Sequence, residues 1–158
     1  PSNFVTLERD VPTQHQGMEL VFTGVEVLSA DEQGYGYRIG DGYVGVVIEA
    51  RDDGGSLLGT ITPGMLRFDS PSGMVSARSE VDRLTGATGD TIVILDLLQS
   101  NELLSSMILG QTDDVSEVRV TVHRLQGSHL VWAGWLMVVI GSAFASLPTR
   151  VTEPSEDE

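Results

Sequence analysis

The chain has no cysteine and no lysine, and only 6% of its residues are aromatic. Without cysteine it can form neither disulfides nor thiolate metal sites. Its nine basic residues are all arginine and stand against 23 Asp and Glu, leaving a formal net charge of −14 over 158 residues. So acidic a surface without lysine argues against nucleic acid as a partner, because phosphate contacts need cationic side chains. It argues equally against docking on anionic lipid headgroups. The physical use of such a surface is solubility through self-repulsion, which salt screens. The balance is therefore treated as adaptation to a saline, halophilic habitat and not as mechanism. One more absence is local: no charged residue lies between Leu130 and Thr149, and the only hydroxyls there belong to Ser142, Ser146 and Thr149. The first residue is Pro with no signal peptide before it, so a piece of a longer chain is expected.

What fills that uncharged stretch organises the rest. Residues 129–147 read HLVWAGWLMVVIGSAFASL. A helix over residues 130–147 would rise about 27 Å, close to the roughly 30 Å hydrocarbon core of a bilayer. Trp132 and Trp135 sit near one end, where indoles favour the membrane–water boundary, and are candidate interface anchors. Gly134, Gly141 and Ala145 fall near one side of the helix and are candidate packing positions, since small residues let a second membrane helix approach. A buried core helix of a soluble protein is the bland alternative. The expected organisation is a β domain over 1–126, a transmembrane anchor helix over 127–149 and a disordered acidic tail over 150–158.

Before the helix the pattern is that of strands. Residues 4–9 predict a short strand, with Asp10, Pro12 and Gly17 in the turn after it. Residues 18–28 predict a longer one in which Leu20 and Phe22 lie on one face but Val25 and Val27 on the other, with Gly24 between them as the expected bulge. Val44, Val46, Ile48 and Ala50 alternate over 43–51, and Asp52-Asp53-Gly54-Gly55 turns the chain into a returning strand over 56–61. Thr62-Pro63-Gly64 breaks that strand before it resumes over 65–68. One strand is expected over 74–82, a turn over 85–89 and an apolar central strand over 91–98, where Asp96 is awkward and marks a strand end or a rim. Residues 99–111 are ambiguous, with Leu103, Leu104, Met107 and Ile108 at helical spacing. The clearest alternation is over 115–125, with Val118, Val120 and Val122 inward. The fold expected is mainly β: an antiparallel β-sandwich or small barrel followed by one C-terminal transmembrane α-helix.

In this order of features the chain resembles the C-terminal end of the CcmF family, the haem lyase membrane subunit of cytochrome c-type biogenesis. Met18-Glu19-Leu20-Val21-Phe22-Thr23-Gly24-Val25 resembles an early strand of that family. Pro63 with Arg67-Phe68, then Ser79-Glu80-Val81-Asp82, then Gly89-Asp90-Thr91-Ile92-Val93-Ile94-Leu95 resemble later elements. Residues 118–122 resemble its next strand, and Leu130-Val131-Trp132 with Gly134 and Gly141 its final helix. The likeness spans most of the chain. Ser128-His129 departs from it, because the family usually has Pro before the Leu-Val pair. The family's tryptophan-rich haem-handling segment and haem-holding histidines lie upstream, so none of its catalytic residues maps onto a position here. The resemblance implies a cell-membrane location with the β domain extracytoplasmic and the C-terminus cytoplasmic. Charge leaves the orientation open, with Arg119 and Arg124 before the helix and Arg150 after it. It also implies other membrane helices, the lipid bilayer, apocytochrome c and haem-delivery proteins as partners. Haem is implied for the full-length protein, with none assigned to this chain. A second reading, of a different class, is a non-enzymatic membrane-anchored β module that serves as scaffold or subunit of another surface complex.

Candidate chemistry is sparse. His15 in a loop and His123 on an outward strand position read as surface residues. His129, where the helix would enter the membrane, is the one candidate for haem binding, through ligation of its iron; an interfacial polar residue is the simpler reading. No histidine pair has helical ligand spacing. Asp52-Asp53 and Asp113-Asp114 read as turn residues, and the serines lack a nucleophile context. The glycines Gly34, Gly36 and Gly40 open no helix, which weakens a phosphate-cradle reading. Arg67 and Arg83 fit ion pairs with acids, or with haem propionates. The apolar run over 103–109 reads as core.

Overall fold

The computed structural model describes residues 3–29, 40–86 and 89–146, side chains 97 and 128 excepted. Gly34 and Gly36, residues 147–149 of the expected anchor and the whole tail 150–158 lie outside them. The chain runs β1 (Phe4–Glu8), β2 (Thr13–His15), β3 (Met18–Ser29), β4 (Gly42–Arg51), β5 (Leu57–Ile61), β6 (Gly64–Asp69), β7 (Val75–Glu80), β8 (Asp82–Gly86) and β9 (Gly89–Leu95). Then come α1 (Leu97–Leu109), one 3-10 turn (Thr112–Asp114), β10 (Glu117–Gln126) and α2 (Ser128–Ala145). It is mainly β, and its strands pair antiparallel in two sheets, ordered β1-β10-β9-β8 and β2-β3-β4-β6-β7, with β5 also on β4. Two compact units result, residues 1–126 and residues 127–158.

The first unit's core is built by alternation. Val44, Val46, Ile48 and Ala50 of β4 face inward with Leu20 and Phe22 of β3, and Val118, Val120 and Val122 of β10 join the same cluster. The phase change in β3 is resolved by a bulge: Phe22 opposes Ile48, but Gly24 already opposes Val47. Val25 and Val27 then oppose Val46 and Val44, so the extra residue returns them to the face of Leu20 and Phe22. A parallel bridge between Arg9 and Phe22 ties the two sheets along one side, closing the sandwich part-way toward a barrel. Aliphatic burial of this kind supplies the main driving force for the unit.

Turn chemistry sets the registers. Asp52 Oδ1 accepts from Gly54 N at 2.9 Å and Ser56 N at 2.8 Å, which fixes the β4–β5 hairpin. β5 and β6 form one broken strand along β4; at the break Val46 N donates to Pro63 O at 3.0 Å, and the Tyr43 hydroxyl donates to Thr62 O. Gly64 is needed there because a Cβ would stand 2.1 Å from Val44 O.

Several sequence expectations change. The turn after β1 holds a short strand, β2, whose hairpin to β3 uses Gln16 and Gly17, both at positive φ (51° and 74°) as a tight β-hairpin requires. The single strand expected over 74–82 is two strands, one in each sheet, divided at Val81. Of the turn expected over 85–89, residues 87 and 88 lie outside the described residues; on either side of them β8 and β9 pair, beginning with Gly86 opposite Gly89. The central strand ends at Leu95, because Asp96 accepts from Leu98 N at 2.9 Å and caps α1. The ambiguous segment is therefore a helix, ended by Gly110 in the left-handed region, whose N–H reaches Met107 O.

The second unit is described by α2. It has no charged residue and no polar stripe, and its large apolar residues are 46 to 74% exposed. Yet no helix among the described residues is long and apolar enough to cross a membrane. The transmembrane span expected over 127–149 is accordingly not something the structure shows. Helix α2 accounts for 18 residues of it, a rise of about 27 Å.

Candidate functional site

The residues singled out in the sequence gather on α2. Gly127, at a φ of 78°, is the one residue between β10 and the helix, so the chain passes from strand to helix without a loop. His129 is exposed in the first turn. Trp132 and Trp135, also exposed, line with Val131 a wholly apolar hollow of about 330 Å³. A Cβ added at Gly134 or Gly141 would meet nothing within 4 Å, and Ala145 is exposed. By helix geometry Gly134, Gly141 and Ala145 lie within roughly 40° of one another, with Trp132 roughly 160° and His129 roughly 140° from Gly134 but Trp135 only roughly 100° from it. Trp132 thus lies opposite the small residues, and Trp135 on the flank between. The Ser142 hydroxyl donates to Val138 O and the Ser146 hydroxyl to Ala143 O, each at 2.8 Å. These two hydroxyls are thus satisfied by backbone carbonyls of the helix.

In the β unit the histidines separate. His123 is exposed, as the sequence indicates. His15 is half-buried on β2, its Nε2 has no hydrogen-bond partner, and burial holds its pKa below the ordinary value. Among the described residues no three His, Cys, Asp or Glu are placed to hold a metal ion. Arg67 pairs with Asp69 at 2.8 Å, and Arg83 lies 3.9 Å from Asp90, the simpler of the two readings for these arginines. Glu49 accepts from Arg51 at 2.9 Å and raises the Arg51 pKa.

The structure adds a feature that the sequence did not disclose. Asp96, awkward in a strand, accepts from Leu98 N and from Arg119 Nε and Nη2 at 2.8 and 2.5 Å. The backbone N–H first, and the guanidinium second, hold its carboxyl below the usual range. Beside it an acidic furrow runs along α1, past Glu102 and Glu117, to Asp113, Asp114 and Glu8. Asp113 and Asp114 are the turn residues the sequence suggests, and only folding brings Glu8 and Glu102 to them.

Comparison with family models, with curated proteins and with solved structures found no match to the chain.

Proposed function

We propose that the chain is the extracytoplasmic β module and membrane anchor of a larger haem-lyase assembly of the CcmF type, a supporting portion with no catalytic residue of its own. One observation carries the anchoring: α2 is uncharged and exposes apolar side chains on every side. In water such a helix loses roughly 25 cal/mol for each Å² of apolar surface left wet, a loss that a bilayer removes. Its rise of about 27 Å falls a few ångströms short of the hydrocarbon core, a mismatch that thinning of the bilayer accommodates at modest cost. Trp132 and Trp135 sit at one boundary, and Gly134, Gly141 and Ala145 offer the side on which another helix packs. The haem-lyase assignment rests on the sequence resemblance, and the order of a sheet-built unit followed directly by this helix is in keeping with it. The family's haem-holding histidines lie upstream of this chain, and His129 is the one candidate here for haem contact, by its place at the start of α2.

Two measurements separate the broad proposal from the narrow one. Mixed with phosphatidylcholine vesicles, the protein floats with the lipid in a density gradient and resists alkaline extraction; a monomer left in the aqueous layer overturns the anchoring. Co-purified from its membrane, the full-length protein shows a haem absorption spectrum and brings maturation partners with it. An anchored protein with neither leaves the scaffold of another surface complex as the reading.

A further inference from the structure

We infer that the outer face of α1, with the furrow beside it, is a docking site for a basic amphipathic segment of another protein. Leu98, Asn101, Ser105 and Leu109 recur at helical spacing on the side opposite Ser100 and Leu103, which are buried. Leu98, Ile108 and Leu109 are 73, 62 and 69% exposed. Within the 13 residues of α1 only Glu102 is charged, although the whole chain carries −14. An uncharged ridge with three exposed aliphatics, on a surface otherwise kept soluble by carboxylates, is where a partner is expected.

The occupant follows from what borders the ridge. Glu8, Glu102, Asp113, Asp114 and Glu117 line the furrow in two adjoining hollows of about 300 and 500 Å³. Among the described residues none of the five takes part in an ion pair. The two nearby cations are engaged: Arg119 with the Asp96 carboxylate, and Arg9 Nη1 with the Asp113 carbonyl oxygen at 2.6 Å. The Asp113 carbonyl leaves the Arg9 charge in place, so the furrow carries five carboxylates against one guanidinium and its local field is net negative. It repels an anionic lipid surface and attracts a segment whose apolar side is edged with Lys or Arg. Leu98 and Leu109 stand about 16 Å apart along the axis, so a helix laid alongside can present apolar residues at the same interval.

The chain's lack of cysteine makes the test site-specific. The full chain in phosphatidylcholine nanodiscs carries Ser105→Cys on α1, labelled with an environment-sensitive dye, and is titrated with a synthetic Leu/Lys amphipathic peptide. The dye signal should saturate, and a Leu/Glu peptide should give none. Leu98→Ser with Leu109→Ser should weaken binding about tenfold, equivalent to ~1.4 kcal/mol. Ile108→Ser is a second, independent variant with the same sign. Glu102→Gln with Glu117→Gln should weaken binding severalfold and flatten its salt dependence. All of these side chains are at the surface, and an unchanged unfolding midpoint checks that the fold is kept. Equal affinity for all variants, or an equal response from a dye at Ser76→Cys on β7, reduces the effect to diffuse charge and overturns the proposal. So does a response to phosphatidylglycerol vesicles in place of the peptide.

Discussion

The two units dispose of their apolar residues in opposite ways. In β4 and β10 alternate side chains point inward, and Val44, Val46, Val118, Val120 and Val122 have no exposed surface. In α2 consecutive apolar residues point in every direction, and even the least exposed of its large ones keeps 46% of its surface. A period of two names an inside and an outside, and the fold supplies both. An apolar run without a polar side names only a surrounding. The β unit should therefore stand or fall by its own contacts, and α2 by its medium.

The strongest way to break that contrast is to damage each unit and look for an effect on the other. Phe22→Ala empties a fully buried site beside the β3 bulge and should cost the β unit about 3–5 kcal/mol. A denaturant titration followed by sheet ellipticity reads the loss, while vesicle flotation of the folded protein stays as it was. Val138→Arg puts a charge in the middle of α2 and should cost about 2.5–3.5 kcal/mol of membrane insertion, seen as loss of flotation with no change in the unfolding midpoint. If Val138→Arg unfolds the β unit instead, the helix was packed as core and the contrast is wrong.

A smaller effect sharpens the contrast inside the β unit, where α1 is held at its start by one carboxylate. Asp96→Ala removes the cap on Leu98 N and the pair with Arg119, and should cost about 0.5–2 kcal/mol by thermal unfolding. Asp96→Asn keeps the cap and should cost less, since Arg119 is half exposed and a surface pair adds little. The sign in pH follows from the lowered carboxyl: its contribution is fully present above the usual carboxylate value of about 4 and is lost as pH falls through the folded value. Asp96→Asn should flatten the acid limb of the stability curve, and an unaltered limb would remove Asp96 from the account.

How much was legible follows the same division. Where side chains alternate, as over 44–50 and 118–122, each residue reports its own side and the strands are plain. The bulge at Gly24 was legible because a phase change in an otherwise regular pattern has few other causes. The division of 74–82 at Val81 was not, because β7 is largely exposed and its residues carry no inward signal to show that the next strand belongs to the other sheet. The α1 segment was ambiguous for a related reason: Ser, Asn and Gln on its outer side weaken the helical pattern, and only the Asp96 cap settles where it starts. The furrow was out of reach, since Glu8 and Glu117 meet through a register, Glu8 opposite Glu117, that no local pattern announces.

The smallest expected effect concerns His15, which reads in the sequence as a surface residue and which the structure half-buries on β2. Its Nε2 has no hydrogen-bond partner to hold a proton, and burial disfavours the cation, so its folded pKa lies below the ordinary value of about 6.5. Between the folded value and the ordinary one the unfolded chain binds more protons than the native protein. Stability is therefore undiminished above about pH 6.5, declines as pH falls below it, and levels off once the folded value is passed. The local geometry keeps the loss small, because β2 is a three-residue edge strand whose hairpin is also held by Arg124 Nη1 donating to Gln16 O at 2.7 Å. His15→Gln should abolish the slope just below neutrality while leaving the acid limb assigned to Asp96 in place. Denaturant midpoints taken either side of about pH 6 decide it; a slope that survives in His15→Gln must come from another group, and the edge of the sheet would then be as indifferent to protons as its exposed strands suggest.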